Sequence, residues 1–256
     1  MLSIHDLTKR FGAQTAVDGL TLEVPAGQIV GLLGPNGAGK TTTLKMLTGL
    51  LKPDSGTASI AGFDIVKQPI EAKRVFGFVP DSGAVYESLS GLEYLVMVAS
   101  LYGIAEGEAR ERIGRFTEFF ELGMDTLKGK MLGAYSKGMR RKVVITAALL
   151  HNPQVVFLDE PLEGLDANAS VGFKALLETL AREGKTIIYS SHILDVVERV
   201  CHRVAIINNG KLMVDGAPEA LLQEHQAPTL ESLFTRLTGT TDHEQRAETF
   251  AKTLLS

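Results

Sequence analysis

A glycine-rich segment that ends in lysine and threonine is the strongest chemical signal in this sequence. The segment reads Gly34-Pro35-Asn36-Gly37-Ala38-Gly39-Lys40-Thr41 and fits the pattern GxxxxGK[ST]. Backbone N–H groups of such a turn can converge on phosphate oxygens only where side chains stay out of the way. The segment therefore predicts a loop that binds the phosphates of a nucleoside triphosphate.

Three side chains at the end of this loop are predicted to share the phosphate and metal chemistry. Lys40 supplies a full positive charge for the β- and γ-phosphates. The hydroxyl of Thr41 is a hard oxygen ligand of the kind that Mg²⁺ prefers, and Thr42 is placed for the α-phosphate. An apolar run at 29–33 precedes the loop, and leucines at helical spacing follow it as far as Leu51. We therefore expect a strand, the loop and the N-terminus of a helix that reaches Leu51, in that order.

An apolar run that ends in two carboxylates is the second signal. Val155-Val156-Phe157-Leu158 is followed by Asp159 and Glu160. Such a run is typical of a strand buried on both faces of a parallel sheet, and these sheets bind ligands at the carboxyl ends of their strands. Alone, the pair would be interpreted as a solvated strand end. Together with the phosphate loop, Asp159 is predicted to hold Mg²⁺ through water and Glu160 to act as the general base.

The elements that must position these residues follow an α/β pattern. The first sixty residues contain short strands at 2–7, 20–24 and 29–33, with Asp18-Gly19 as a predicted turn. The region from about 85 to 150 has apolar residues at helical spacing and is predicted to be a helical insertion. Buried strands are expected at 155–158, 186–189 and 204–207, and Asn209-Gly210 is expected to form a hairpin turn.

Composition excludes several classes of protein. The 256 residues are 45% hydrophobic and 22% charged, with a net charge of -4, which is ordinary for a globular domain. Like charges do not cluster in blocks, so a nucleic-acid partner is not expected. The local cluster Arg140-Arg141-Lys142 is interpreted as a solvated helix face rather than a binding patch. Cys201, the single cysteine, is expected to be a free buried thiol.

The sequence shows no segment suited to the membrane. Its first six residues lack the pattern of a signal peptide, and the longest uncharged apolar stretch, at 94–105, is shorter than the roughly 20 residues that a membrane helix needs. We therefore expect a soluble chain whose role at a membrane would come through a partner.

The order of the remaining motifs resembles that of the ATPase subunits of ABC transporters, over about residues 2 to 238. The phosphate loop and Asp159 match the Walker A and Walker B motifs of that family. Tyr135-Ser136-Lys137-Gly138-Met139 is similar to the LSGGQ signature and lies in the family's position before Asp159. The segment 161–166 is similar to the D-loop, and Ser190-Ser191-His192 is similar to the H-loop.

This resemblance implies a fold, cofactors and partners. The fold would be a P-loop NTPase core of the ABC type, with an N-terminal antiparallel β subdomain and an inserted helical subdomain. ATP and Mg²⁺ would be the cofactors. Two copies would pair head to tail, with each ATP between the Walker A loop of one copy and Ser136 and Gly138 of the other. His192 would bind the γ-phosphate near Glu160, and Phe11 would stack on adenine.

The resemblance also implies a place and a role for the chain. It would be an ATPase that drives an integral membrane transporter subunit, acting as a cytoplasmic protein on the inner face of the cell membrane. The form of the signature resembles that of bacterial exporter ATPases encoded apart from their membrane subunit. The ATPase domain would cover residues 1–238 and a C-terminal tail residues 239–256. Leu230, Leu233, Phe234 and Leu237 are expected to form an amphipathic helix that packs on the ATPase body.

Two positions depart from the family pattern. Asp81 stands where glutamine is usual; it could still contact the magnesium shell, and it would alter the contact that reports the nucleotide state to the membrane subunit. Lys137 replaces a glycine of the signature, and it could add charge near phosphate or face solvent.

The main alternative function is that of an ABC ATPase without a transport role, either associated with ribosomes or DNA or regulatory. The ribosome and DNA forms usually have two such domains or a long coiled coil, whereas this chain has one Walker A loop and no heptad run. Glu160 and His192 disfavour a regulatory subunit that binds ATP without turnover. A GTP-binding switch would need an NKxD-like segment, which the sequence lacks.

Overall fold

Two sheets organise the chain in the computed structural model, which describes residues 1–239 together with 250, 252 and 253. The first sheet is antiparallel, in the order β2-β1-β4-β5. The second has the order β10-β9-β3-β8-β7-β6, and only its β9–β10 pair is antiparallel. The strands are β1 Leu2–Phe11, β2 Gln14–Val24, β3 Ile29–Leu33, β4 Ser55–Ile60, β5 Phe63–Asp64, β6 Phe76–Val79, β7 Val155–Asp159, β8 Thr186–Ser190, β9 Arg203–Asn208 and β10 Lys211–Gly216.

Helices cover both faces of the second sheet. The segment of the chain between β6 and β7 forms a separate helical layer. They are α1 Lys40–Leu47, α2 Pro69–Val75, α3 Gly91–Leu101, α4 Glu106–Phe119, α5 Met124–Gly129, α6 Lys137–Leu149, α7 Ala167–Arg182, α8 Leu194–Val200, α9 Pro218–Glu224 and α10 Leu230–Thr238, with a 3-10 turn at Leu132–Ala134. In the described part of the chain, no helix combines the length and apolar character that a membrane span would need.

Strand alternation divides the core of the second sheet between its two faces. On β3, Ile29 and Leu33 pack with α7 and α8 on one face, while Val30 and Leu32 pack with α1 and the first sheet on the other. β7 is divided in the same way, and both strands are fully buried. Burial on both faces explains their continuous apolar sequences, and it fixes the ends of these strands against packed layers.

The helical insertion has an apolar core of its own. Residues of α3, α4, α5 and α6 pack together there, among them Leu95, Ile113, Leu127 and Val143. α6 also contacts β6 and the main core, so the insertion is attached to the sheet through this helix. The predicted fold class, including the helical subdomain, is confirmed.

Two local predictions differ from the structure. Asp18-Gly19 lies inside β2, and the chain turns earlier, between β1 and β2. Leu7 pairs with Leu20 and Lys9 with Val17, so β2 carries an extra residue, and Gly19 absorbs this bulge with a φ of +63°. The helix predicted to reach Leu51 ends at Leu47.

The C-terminal predictions are only partly within the described residues. α10 buries Leu230 and Leu233 in the main core, with Phe234 and Leu237 packed against it, so this amphipathic helix packs on the ATPase body as predicted. The predicted tail 239–256 lies mostly outside the described residues, and the domain boundary at 238 stays a prediction. Asn209-Gly210 forms the expected hairpin turn, with both residues at positive φ. Cys201 is a free buried thiol.

Candidate nucleotide site

The glycine-rich loop joins the end of β3 to the start of α1, as predicted. A side-chain carbon at Gly34 would lie 2.4 Å from the carbonyl oxygen of Ile207, and one at Gly39 would lie 2.5 Å from that of Ala16. Gly39 also has a φ of +110°, which disfavours any other residue. The backbone therefore packs tightly against its own protein and leaves the outer side of the loop to a ligand.

The N-terminus of α1 is open. Its cap residue, Gly39, offers no side-chain hydrogen bond to the first turn, so N–H groups of the first turn have no partner from a capping side chain. These donors and the positive end of the helix dipole suit an anion.

Lys40 lies inside the loop with its amine turned toward the loop backbone. Its Nζ donates to the carbonyl oxygens of Gly34 at 2.5 Å and Pro35 at 3.1 Å. Burial lowers the pKa of Lys40, while the nearby carboxylates of Glu160 and Asp159 act to raise it. The lysine is thus a buried cation close to the predicted general base, Glu160, and to the predicted metal-holding residue, Asp159.

Thr41 and Asp159 are brought together by the start of α1 and the end of β7. Thr41 Oγ1 donates to Asp159 Oδ2 at 3.1 Å, and Asp159 is only 3% exposed. Burial raises the pKa of Asp159, and the charges of Asp81 and Glu160 raise it further, against the hydrogen bond from Thr41. A cation would relieve this crowding of negative charge.

Glu160 is held by the segment that follows β8. Its Oε1 accepts from the backbone N–H of His192 at 2.9 Å and lies 2.8 Å from His192 Nδ1, while Ser191 Oγ donates to its Oε2 at 3.0 Å. Glu160 also has a φ of +48°, an uncommon and costly conformation for glutamate. The carboxylate is therefore fixed in direction by its backbone and by three donors.

The signature segment forms the start of α6. Ser136 is the N-cap, and its Oγ accepts from the backbone N–H of Met139 at 3.2 Å. A side-chain carbon at Gly138 would lie 2.4 Å from the carbonyl oxygen of Gly164, so this glycine permits close contact with the D-loop segment. Lys137 faces solvent, with 62% of its side chain exposed, and Glu163 neutralises its charge through an ion pair.

The interpretation of residues 140–142 as a solvated helix face was wrong for Arg141. This side chain is 2% exposed and donates to the carbonyl oxygens of Pro80, Asp81 and Glu163 at 2.7, 2.8 and 3.3 Å. It ties the segment after β6 to the D-loop segment. Sequence inspection missed it because its only visible signal was a charge at a helical position that faces the core.

The two other predicted positions are exposed. Phe11, at the end of β1, is 52% exposed, and Lys9 Nζ lies 5.7 Å from its ring centre. Asp81 is exposed and lies near Arg141 and Glu163. Among the described residues, Asp81 makes no hydrogen bond to Thr41 or Asp159, although its charge acts on Asp159.

Comparisons with known proteins identify the family of the chain. The sequence profile of the family described as ABC transporter matches residues 17–163. The ATP-binding protein NatA of Bacillus subtilis (strain 168), an ABC transporter protein, is 38% identical over 240 residues, which is 91% of this chain and 96% of that protein. The daunorubicin/doxorubicin resistance ATP-binding protein DrrA of Streptomyces peucetius is 39% identical over 210 residues, which is 82% of this chain and 63% of that protein.

A solved structure gives the same result. The ATP-binding subunit of an ABC transporter superposes with a TM-score of 0.87 at 32% identity, and the match covers 93% of this chain and 99% of that one. The chain therefore belongs to the ABC transporter family, as one of its ATP-binding and ATP-hydrolysing subunits.

Proposed function

We propose that this chain hydrolyses Mg²⁺–ATP at the edge where β3, β7 and β8 end, and that the reaction drives a separate membrane-spanning exporter. The observation that carries the proposal is the convergence at this edge of a loop cation, a metal-binding pair and an oriented carboxylate. The negative charges of Glu160 and Asp159 act to raise the pKa of Lys40, and Thr41 donates a hydrogen bond to Asp159. Such a set fits phosphoryl transfer to water, in which positioning and charge stabilisation do most of the work.

The residues around Asp159 fit a magnesium ion. Thr41 and Asp159 offer hard oxygen ligands. Among the described residues, no cluster of three or more His, Cys, Asp or Glu side chains could hold a metal ion without further ligands. Mg²⁺ usually takes only one or two protein ligands, with water and substrate phosphates completing its shell. Bound there, it would neutralise charge on the phosphates. Asp81 would act on this site through its charge.

The chain's own residues would then perform three tasks. Backbone N–H groups of the loop from Gly34 to Thr42 bind the phosphates, and Lys40 exchanges its carbonyl partners for phosphate oxygens. Glu160 takes a proton from water as the water oxygen bonds to the γ-phosphorus and the bond from that phosphorus to the bridging oxygen breaks. His192 keeps Glu160 oriented and contacts the γ-phosphate, and Phe11 stacks on the adenine ring.

The start of α6 is proposed to complete the site of a second copy. Ser136 and Gly138 lie on a helix whose first turn is already capped within its own chain. In a head-to-tail dimer, the hydroxyl of Ser136, the N–H of Gly138 and the positive end of α6 would meet the γ-phosphate held by the other copy.

An apolar face beside α2 is the proposed docking surface for the membrane subunit. Ile70 and Leu101 are exposed large hydrophobic side chains. Leu101 and Tyr102 border a cavity together with Arg74 of α2, and Val66 borders another with Lys73 of the same helix. Exposed apolar surface of this kind marks protein contacts. The chain would thus lie on the cytoplasmic side of the membrane and be held there by its partner.

The test is a comparison of hydrolysis and binding in Glu160→Gln. Phosphate release should fall by roughly 10²- to 10⁴-fold, while the dissociation constant for ATP stays close to that of the wild type. Glu183→Gln, which changes an exposed carboxylate at the end of α7, is the matched control and should behave as the wild type. Normal turnover by Glu160→Gln would remove the catalytic assignment.

A further inference from the structure

A further cavity lies at the opposite end of β7 from the nucleotide site. Its volume is about 450 Å³, within the range of roughly 300 to 1,000 Å³ that small-molecule sites occupy. It is bounded by α4, by the end of α6 with the turn at Asn152-Pro153, and by α7. Val156 lines it, and this residue is roughly 10 Å along the strand from Asp159. An occupant would contact both the helical insertion and the sheet.

The walls of this cavity are mainly apolar. Phe116 and Phe119 face it from α4, Leu149 from α6, and Leu176 and Leu180 from successive turns of α7. Phe119 is 43% exposed, and the two α7 leucines are only half-buried. Apolar side chains left partly in water gain free energy when an aliphatic group covers them.

The rim of the cavity is cationic. Arg112, Arg115 and Lys185 line it, and none of the lining residues within the described part of the chain is acidic. Arg112 and Arg115 pair with glutamates one turn earlier on α4, outside the cavity. Arg112 also donates to the carbonyl oxygen of Leu150 at 2.7 Å. Exposed ion pairs contribute little, so the guanidinium group of Arg115 can bind another anion at small cost.

Lys185 is the least satisfied of these cations. Its Nζ donates to the carbonyl oxygen of Asn152 at 3.3 Å, and no ion pair joins it to a carboxylate of the described residues. Burial lowers the pKa of Lys185. Burial lowers the pKa of the nearby His151, and the charges of Arg112 and Lys185 lower it further, so the positive field extends beyond the rim.

We propose that this cavity binds a single-chain amphipathic anion, with its aliphatic tail between α4 and α7 and its carboxylate at Arg115 and Lys185. A medium-chain fatty acid has this chemistry. Because α4 and α6 belong to the insertion and α7 follows the D-loop segment, the ligand would brace these parts of the ATPase against each other.

Calorimetric titration of the full chain with dodecanoate, below its micelle concentration, tests the proposal. Saturable binding of one molecule per chain is expected. Dodecyltrimethylammonium has the same tail and the opposite charge, and it should bind at least about tenfold more weakly, because it lacks the charged hydrogen bonds. Absence of saturable binding, or equal affinity for the two amphiphiles, would overturn the proposal.

Two arginines of α4 provide a matched pair of variants. Arg115 and Arg110 each pair with a glutamate one turn earlier, but only Arg115 lines the cavity. Arg115→Gln should weaken dodecanoate binding about tenfold, and Arg110→Gln should leave it unchanged; equal effects would contradict the site. Leu180→Trp should block binding by filling the cavity. If Leu180→Trp loses ATP binding through misfolding, Lys185→Met replaces it and should weaken dodecanoate binding by a similar factor to Arg115→Gln.

Discussion

The N-termini of α1 and α6 differ in whether a side chain caps their backbone N–H groups. At α1, the cap residue Gly39 offers no side chain, and the loop before it is packed tightly against its own protein. At α6, Ser136 caps the helix with its own hydroxyl. The N–H groups at the start of α1 thus have no capping side chain, whereas the N–H group of Met139 at the start of α6 has a partner within its own chain. This difference fits the proposal that one chain supplies two different halves of an ATP site.

The largest effect is expected at the open terminus. Lys40→Ala removes the cation that meets the β- and γ-phosphates, and hydrolysis should fall by at least about 10²- to 10³-fold. Lys45→Ala, an exposed lysine later on the same helix, is the control and should retain activity in a phosphate-release assay. Loss of activity in both variants would mean that the helix itself had been damaged.

The capped terminus separates stability from function. Ser136→Asp keeps a good N-cap but places a negative charge where the γ-phosphate of the neighbour should bind. Hydrolysis should fall by roughly 10²-fold, with a melting temperature close to that of the wild type. Ser136→Asp that hydrolyses ATP normally would show that this terminus meets no phosphate.

Aromatic stacking should give a smaller effect on the open side of the site. Phe11→Ala should weaken ATP binding by about 1 to 2 kcal/mol, measured by equilibrium titration. Phe11→Tyr retains the ring and should bind ATP with nearly normal affinity. If Phe11→Ala binds ATP with the affinity of the wild type, the ring does not contribute to adenine binding.

The two termini should also differ in the sign of a stability change. Ser136→Ala removes a cap and should lower the free energy of unfolding by about 1 kcal/mol. Asp159→Asn, at the end of β7 beside Thr41 of α1, should raise that free energy in the absence of nucleotide, because burial and two nearby carboxylates raise the pKa of Asp159.

The effect of Asp159→Asn on stability should depend on pH. A carboxyl group whose pKa is raised in the folded protein binds its proton more tightly there than in the unfolded chain, so its ionisation destabilises the fold. The advantage of Asp159→Asn should therefore be full at neutral pH and shrink as the pH is lowered through the raised pKa. Denaturant unfolding of both proteins at several pH values measures this, and an advantage that grows toward low pH would contradict the assignment.

Residues whose role is visible in local pattern were predictable from the sequence. Gly34 to Thr41 and Asp159-Glu160 follow apolar strands, and the structure brings them to one edge of the sheet as expected. Arg141 was not predictable, because its acceptors are backbone carbonyls from two distant segments. The bulge at Gly19 was missed for a related reason, since a glycine after aspartate predicts a turn unless the strand pairing is known.

The capped start of α6 is proposed to complete the ATP site of another copy. Sizing chromatography of Glu160→Gln, with and without saturating Mg²⁺–ATP, tests it most directly, because blocked hydrolysis leaves ATP in place to hold two copies together. Glu160→Gln should elute as a monomer without ATP and as a dimer with it, and adding Ser136→Arg should abolish the dimer by steric clash at the γ-phosphate. A Glu160→Gln protein that stays monomeric with bound ATP, or a double variant that still dimerises, would show that α6 does not complete the ATP site of another copy.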